Sequence, residues 1–343
     1  MHHYILGKSG TGKSTYLEHL ALSDESGFLF LDKHGQSAER IADTIPCIYW
    51  EPARDAIGFN PLKDSLIGQR HLVAEEVIAS FKAIWADSWG PRLEHILRNT
   101  LLLLLDNGGS IIDIPSVLNG VVLEFWRKEY DALEKKRRDE VIASVLNKAG
   151  AFATNPVLSR ILTRNTLKLW RVMDKRQRLV VNLSGLGDGP AFLLGALIMA
   201  GVSQAAARRS EIPEADRVPF TVYADEFQNY ATETFEGVLS EARKWKISLV
   251  LAHQFTGQVH PRLLKAVLGN CQQLTIFRVS AQDARELADE MGREDLADTP
   301  NFHAWHRTGQ FTQAHALPPV PVLPRQGKIE ANRRRARASY GAA

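Results

Sequence analysis

Residues 7–14 read Gly7-Lys8-Ser9-Gly10-Thr11-Gly12-Lys13-Ser14, and these eight positions satisfy G-x-x-x-x-G-K-[S/T] in full. Each residue type has a physical reason. Glycines let the backbone curl until successive N–H groups converge on phosphate oxygens, and the following helix N-terminus adds partial positive charge. Lys13 supplies a mobile ammonium for the β- and γ-phosphates of ATP, and the Ser14 hydroxyl completes a Mg²⁺ shell. With glycine near 7% of residues, chance produces the pattern in roughly one chain of this length in a hundred, so it is a specific signal. The expected nucleotide-binding set is Gly7, Ser9, Gly10, Thr11, Gly12, Lys13, Ser14 and Thr15.

The flanks agree with this reading. Tyr4-Ile5-Leu6 is an apolar, strand-type run leading into the glycine turn, and helix is expected from about Lys13. Similar runs recur at Phe28–Leu31, Cys47–Trp50, Leu179–Leu183, Phe220–Ala224, Ile247–Ala252 and Leu274–Phe277. Strands without polar alternation, separated by helical tracts such as Ala191–Arg208 and Ala281–Met291, predict a mostly parallel sheet covered on both faces.

Two of these strands end in polar residues. Phe220–Ala224 runs into Asp225-Glu226, which puts two carboxylates at the carboxyl edge of the sheet, where open α/β folds bind ligands. Asp225 is expected to hold Mg²⁺ through its waters, and Glu226 to orient and deprotonate the attacking water. The blander reading is an acid pair favoured by a helix N-terminus; the complete phosphate loop upstream favours the functional one. Ile247–Ala252 ends in His253-Gln254, 29 positions beyond Asp225. Gln254 is expected to sense the γ-phosphate or position the water.

Residues 64–170 differ. Val73, Val77, Phe81, Ile84 and Trp85 recur at helical spacing, as do Leu93, Ile96, Leu97, Leu101 and Leu104. The expected organisation is therefore a core in two parts, 1–63 and 171–316, interrupted by an all-helical insertion over 64–170. A tail over 317–343, Pro-dense then Arg-rich, is expected to be extended or disordered.

Composition narrows the class. The 343 residues are 45% hydrophobic and 24% charged, ordinary for a globular chain. Two cysteines, Cys47 and Cys271, build neither a disulfide framework nor a zinc cluster. The most apolar stretch, Phe192–Ala207, is interrupted by Gly195, Gly201, Ser203 and Gln204, so no transmembrane segment is expected. With no secretory signal either, a cytoplasmic location is expected, with recruitment to a membrane left to a partner. The net charge of +3 is uneven: residues 325–343 carry six basic side chains against Glu330, leaving −2 for the rest. The arginines at 333–337 suit nucleic acid no better than a solvated disordered tail or a protein-docking segment, whereas Lys135–Arg138, flanked by Glu134, Asp139 and Glu140, reads as a solvated helix face. His2 and His3 are too few for a metal site, and Trp85, Trp89 and Trp126 read as packing residues.

The phosphate loop, YADEFQNY at 223–230, SEARKWKISLVLAHQ at 240–254 and GNCQQLTIFRVSAQDA at 269–284 resemble the HerA/FtsK superfamily. Within it they look most like the ATPase domain of type IV secretion coupling proteins, the conjugative DNA pumps. LDKHGQ at 31–36, GFNPL at 58–62 and WGPRLEHILRNTLL at 89–102 are similar to further signatures of that family. The resemblance implies a RecA-like core that closes into a hexameric ring with ATP at subunit interfaces and moves DNA, single- or double-stranded. It implies a neighbour's arginine acting in trans, with Arg243 the first candidate and Arg278 the second, and an acid near the nucleotide at Asp32. A relaxase, or secretion or packaging proteins, are the partners it suggests. Family members typically carry membrane helices before the phosphate loop, whereas here the loop begins at residue 7. Two other readings stay open: a secretion or packaging ATPase that moves protein, and a nucleotide-dependent recruitment switch.

Overall fold

A computed structural model describes residues 1–63, 69–119, 135–232, 235–309, 315–317 and 324–341. Trp126 and most of the proline-dense segment lie outside the described residues, as do the side chains of Lys135–Arg138. The chain divides into two compact units: Met1–Glu51, Leu169–Ser184 and Ala205–Ala336 form the first, and Pro52–Lys168, Gly185–Gln204 and Arg337–Ala343 the second.

The first unit is built on a nine-stranded sheet. Its strands are β1 (His2–Leu6), β2 (Gly27–Asp32), β3 (Ile48–Trp50), β4 (Arg178–Asn182), β5 (Phe220–Asp225), β6 (Ile247–His253), β7 (Cys271–Ile276), β8 (Ala304–Thr308) and β9 (His315–Leu317). They lie in the order β3-β4-β2-β5-β6-β1-β7-β8-β9. The seven expected strands are all present and pair in parallel; β8 and β9 extend the sheet antiparallel beyond β7. Every residue of β1 and β2 is buried, the signature of strands covered on both faces. Phe28, Phe30, Tyr49, Val180 and Tyr223 pack against Leu17, Ala21, Ile41 and Ala42 of the helices that follow β1 and β2. Those helices are α1 (Lys13–Ser23) and α2 (Gln36–Thr44).

Register brings the polar strand ends together. Leu6 pairs with His253 across β1–β6, and Asp225 pairs with Ala252 across β5–β6. The phosphate loop, Asp225-Glu226 and Gln254 therefore leave three adjacent strands at one carboxyl edge. Tyr4 Oη lies 2.6 Å from His253 Nε2 and ties β1 to β6 one residue before Gln254. His2 and His3 are buried in β1: His2 Nδ1 accepts from the Leu249 N–H at 3.0 Å, and His3 Nε2 lies 2.7 Å from Thr275 Oγ1. Both are sheet-packing residues, and no metal-binding cluster of His, Cys, Asp or Glu occurs among the described residues.

The second unit is helical, with Arg70–Ile84, Pro91–Asp106, Lys135–Ala153 and Pro156–Leu162 its longer pieces. Val73, Val77, Phe81, Leu93, Leu97 and Leu101 are buried at the expected helical spacing, and Trp85 packs on Phe81 and Phe152 with ring centroids 5.4 and 5.1 Å away. This unit begins at Pro52, twelve residues before the expected boundary at 64, and includes Gly185–Gln204. The GFNPL stretch explains the earlier start. Phe59 N–H donates to Ile161 O at 2.9 Å, and a Cβ on Gly58 would meet Arg164 Cβ at 2.6 Å, so this segment is braced against the far end of the same unit. The helix Asp188–Arg208 is long and apolar enough to cross a membrane, yet 72% of its most apolar window is buried within the fold.

The tail departs from expectation: Ile329–Tyr340 is a helix. In the first unit, Asn332 is buried, donating to Ala42 O and Ile45 O at 2.6 and 2.8 Å and accepting from Cys47 N–H, while Arg333 pairs with Glu51. In the second unit, Arg337 pairs with Asp55 at 2.8 Å. Buried hydrogen bonds and ion pairs supply the order that composition alone does not.

Candidate functional site

The phosphate loop is held open by its own glycines and by β7. Gly10 and Gly12 have φ of 76° and 110°, a region open to glycine at little cost, and Gly12 caps α1 with no side-chain hydrogen bond. Lys8 N–H donates to Arg278 O at 2.9 Å, and Thr11 Oγ1 donates to Lys8 O at 2.7 Å, which closes the loop on itself. A Cβ on Gly7 would lie 2.5 Å from Phe277 Cβ, so only glycine lets β1 pass β7 at this point. The loop is thus a curl of backbone amides at the start of a helix whose cap offers no side-chain acceptor, the arrangement that receives phosphate oxygens.

Ser9, Gly10, Gly12, Lys13, Ser14 and Thr15 line one cavity together with Asp225, Glu226 and Gln254. Gly7 and Thr11 shape the loop without lining the cavity. Ser14 Oγ donates to Asp225 Oδ2 at 3.2 Å, and Asp225 Oδ1 accepts from Glu226 N–H at 3.1 Å. Gln254 Nε2 donates to Glu226 Oε1 at 3.0 Å, and Gln228 Nε2 to Glu226 Oε2 at 2.7 Å. A continuous hydrogen-bonded line therefore runs from the loop serine through both acids to the glutamine after β6. Glu226 occupies the left-handed region at φ 53°, ψ 52°, a conformation that costs a non-glycine residue on the order of 1–2 kcal/mol. That turn directs its carboxylate into the cavity instead of along the strand.

The electrostatics are unbalanced. Burial, then the neighbouring charges of Asp32 and Glu226, push the Asp225 carboxyl up to about 7 against the pull of Lys13 and the Ser14 hydroxyl. Burial also lowers the Lys13 ammonium, with Glu226 and Asp225 opposing it. Two carboxylates, Asp225 and Glu226, act on one buried ammonium, and the hydroxyl and carboxylate oxygens facing the loop are hard donors. That donor set fits Mg²⁺, which favours oxygen ligands and few protein contacts.

The other expected residues are Asp32, Arg243 and Arg278. Asp32 lines the cavity, but both its oxygens accept backbone N–H groups, from His34 at 2.8 Å and Ala38 at 2.9 Å, so it fixes the turn into α2. Arg243 is exposed in the short 3-10 turn Ala242–Trp245 before β6. It stands at the amino end of a strand whose carboxyl end carries Gln254, about 20 Å away along the strand. Arg278 lies beside its own chain's loop, which it meets through its backbone carbonyl. Arg40 and Glu18 also line the cavity, 3.4 Å apart, with Ser37 Oγ donating to Glu18 at 2.8 Å; nothing in their residue types announced this. Phe302 reaches the cavity from the turn before β8, and Gln228 joins the acid pair. For Gln228 the signal was present, two residues after Glu226 in YADEFQNY.

Strand order, glycine-rich loop and acid pair together define the RecA-like P-loop ATPase fold. No protein-family model and no curated protein matches the chain. Among solved structures, the bacterial conjugative coupling protein TrwBdeltaN70, unbound monoclinic form, is similar with a TM-score of 0.70 at 14% identity, covering 95% of this chain and 86% of that one. VirB4 of Thermoanaerobacter pseudethanolicus is similar with a TM-score of 0.71 at 12% identity, covering 93% of this chain and 89% of that one. The plasmid coupling protein TrwB in complex with ADP and Mg²⁺ gives 0.68 at 13% identity, over 95% and 86% of the two chains. At such identities the likeness is one of fold, and it spans both units of this chain.

Proposed function

We propose that the chain is a Mg²⁺-dependent ATPase that works as a motor on DNA in a hexameric ring, as the coupling-protein resemblance implies. The observation that carries the catalytic half is the hydrogen-bonded line Ser14–Asp225–Glu226–Gln254 at the mouth of the phosphate loop. The loop amides and Lys13 hold the β- and γ-phosphates. Ser14 and Asp225 would hold Mg²⁺, which offsets phosphate charge when bound. Glu226 takes the proton from a water placed in line with the γ-phosphorus, and Gln254 and Gln228 fix the carboxylate's orientation. Phosphoryl transfer needs mainly positioning and charge stabilisation, and a buried, pre-arranged acid–amide set supplies both.

A charge from a neighbouring subunit completes the reading. Arg243 is about a strand's length from its own chain's Gln254, out of reach of its own site, which is compatible with the proposed action in trans. One observation favours the alternative in which the ring moves protein: Arg333 and Arg337, from the densest basic segment, are paired with Glu51 and Asp55 within the fold. Steady-state ATPase activity with no nucleic acid, single-stranded DNA and duplex DNA, at two salt concentrations, separates the readings. Several-fold, salt-sensitive stimulation that disappears in Glu226→Gln supports the DNA motor and names the strand form. Turnover indifferent to every nucleic acid moves the assignment to a protein-handling ATPase.

A further inference from the structure

Phe302 is an aromatic side chain in an unfavourable place. It is 54% exposed, and its φ of 64° lies in the left-handed region, a genuine outlier for a bulky residue. An asparagine or glycine would make the same turn more easily. The backbone is nonetheless pinned to the phosphate loop: Phe302 N–H donates to Thr11 O at 2.8 Å. A Cβ added at Gly12 would touch both Phe302 Cα and Cδ1 at 3.2 Å, so the ring edge rests on the first turn of α1. The ring borders the same cavity as Lys13, Ser14 and Thr15.

Strand order gives the cavity a direction. Asp225, Glu226 and Gln254 stand on the β5–β6 side of β1, so the reacting γ-phosphate points that way. The nucleoside end of the same molecule then leaves on the other side of β1, toward β7 and the turn before β8. Phe302 is in that turn. We propose that Phe302 is the stacking platform for the purine base of the bound nucleotide. Strain in the backbone and apolar surface left in water are both accounted for if a flat π-face covers the ring once nucleotide binds. The inference rests on the nucleotide site proposed above, and the experiment keeps the two apart.

The full chain is titrated calorimetrically with Mg²⁺–ADP and with Mg²⁺–tripolyphosphate, which has phosphates but no base. Wild type, Phe302→Ala, Phe302→Trp and Lys13→Ala are compared. Phe302→Ala is expected to weaken ADP about tenfold or more while tripolyphosphate stays within about twofold, and Phe302→Trp to restore ADP binding. Retained tripolyphosphate binding also shows that the loop is folded. Equal weakening of both probes in Phe302→Ala would mean that the ring only braces the loop, and overturns the proposal. So does unchanged ADP affinity beside a Lys13→Ala that loses both probes, with the nucleotide site left standing. If wild type binds neither probe, or Lys13→Ala loses neither, the nucleotide site fails and the stacking with it.

Discussion

Replacing Glu226 by Gln changes one oxygen to an amide nitrogen at nearly constant volume. In the native site both carboxylate oxygens accept an amide N–H, from Gln254 at 3.0 Å and Gln228 at 2.7 Å. Glutamine keeps one acceptor and turns the other into a donor facing a donor, so one of the two hydrogen bonds goes, at about 1 kcal/mol. Folding therefore survives, with a drop in Tm of a few degrees at most. Turnover loses its base, a factor of roughly 10² to 10⁴, or about 2.7 to 5.4 kcal/mol on the barrier. Affinity for Mg²⁺–ATP is expected to change by no more than about threefold, because the proposed phosphate contacts come from residues 7–15 and not from this side chain. Phosphate-release kinetics and calorimetry on the same preparations read the two quantities separately. A folded variant with kcat within about tenfold of wild type would refute Glu226 as the base, and a binding loss as large as the turnover loss would make it a nucleotide-holding residue instead.

Arg243→Ala is expected to bind nucleotide normally and lose roughly 10³-fold in turnover. Mixed one to one with Glu226→Gln, it should regain activity, since about a quarter of random interfaces then join an intact Glu226 to an intact Arg243; no recovery on mixing refutes action in trans. Glu76 is buried, accepts from Gln204 Nε2 at 3.2 Å, and burial raises its carboxyl from 4.5 to about 7 despite hydrogen bonds from Ser203 and Gln204. The folded state thus holds the proton more tightly than the unfolded one, so this group's contribution falls as pH rises from about 4.5 to 7, by up to about 3 kcal/mol. Glu76→Gln should therefore stabilise the protein at pH 8 and leave it nearly unchanged at pH 4.5, as denaturant melts at the two pH values will show. Gly7→Ala must displace Phe277, whose Cβ would lie 2.5 Å from the new atom, and is expected to cost about 1–3 kcal/mol in thermal stability.

Most of the sheet was legible because its strands are largely buried on both faces: β1, β2, β5 and β6 each contain an apolar run that needs no partner to be recognised. β8 and β9 were not. Ala-Trp-His-Arg-Thr at 304–308 lies toward the sheet's edge with only Ala304 buried, so it carries no apolar run to detect. The tail was misread because its arginines outweigh a helical pattern that was present. Ile329, Asn332, Ala336 and Tyr340 recur at helical spacing; Ile329 is partly buried and the other three fully, while Arg334 and Arg335 face outward. Counting charge hid the period.

The candidate site divides along the same line. Residues whose type carries their proposed role, a lysine after a glycine turn or two acids at the end of a buried strand, were visible because few other residues fit those places. Arg40, Glu18 and Phe302 were invisible because each has an ordinary residue type and becomes informative only through position. Glu226 belongs to both groups: its acid was readable, its left-handed backbone was not. An ideal strand end would project the Asp225 and Glu226 side chains to opposite faces of the sheet, and only one could then reach the cavity. The turn at Glu226 breaks that alternation and brings both carboxylates to the phosphate loop, held by the N–H of Glu226 itself on Asp225 Oδ1. The sequence specifies which groups meet; one strained peptide decides that they meet on the same side.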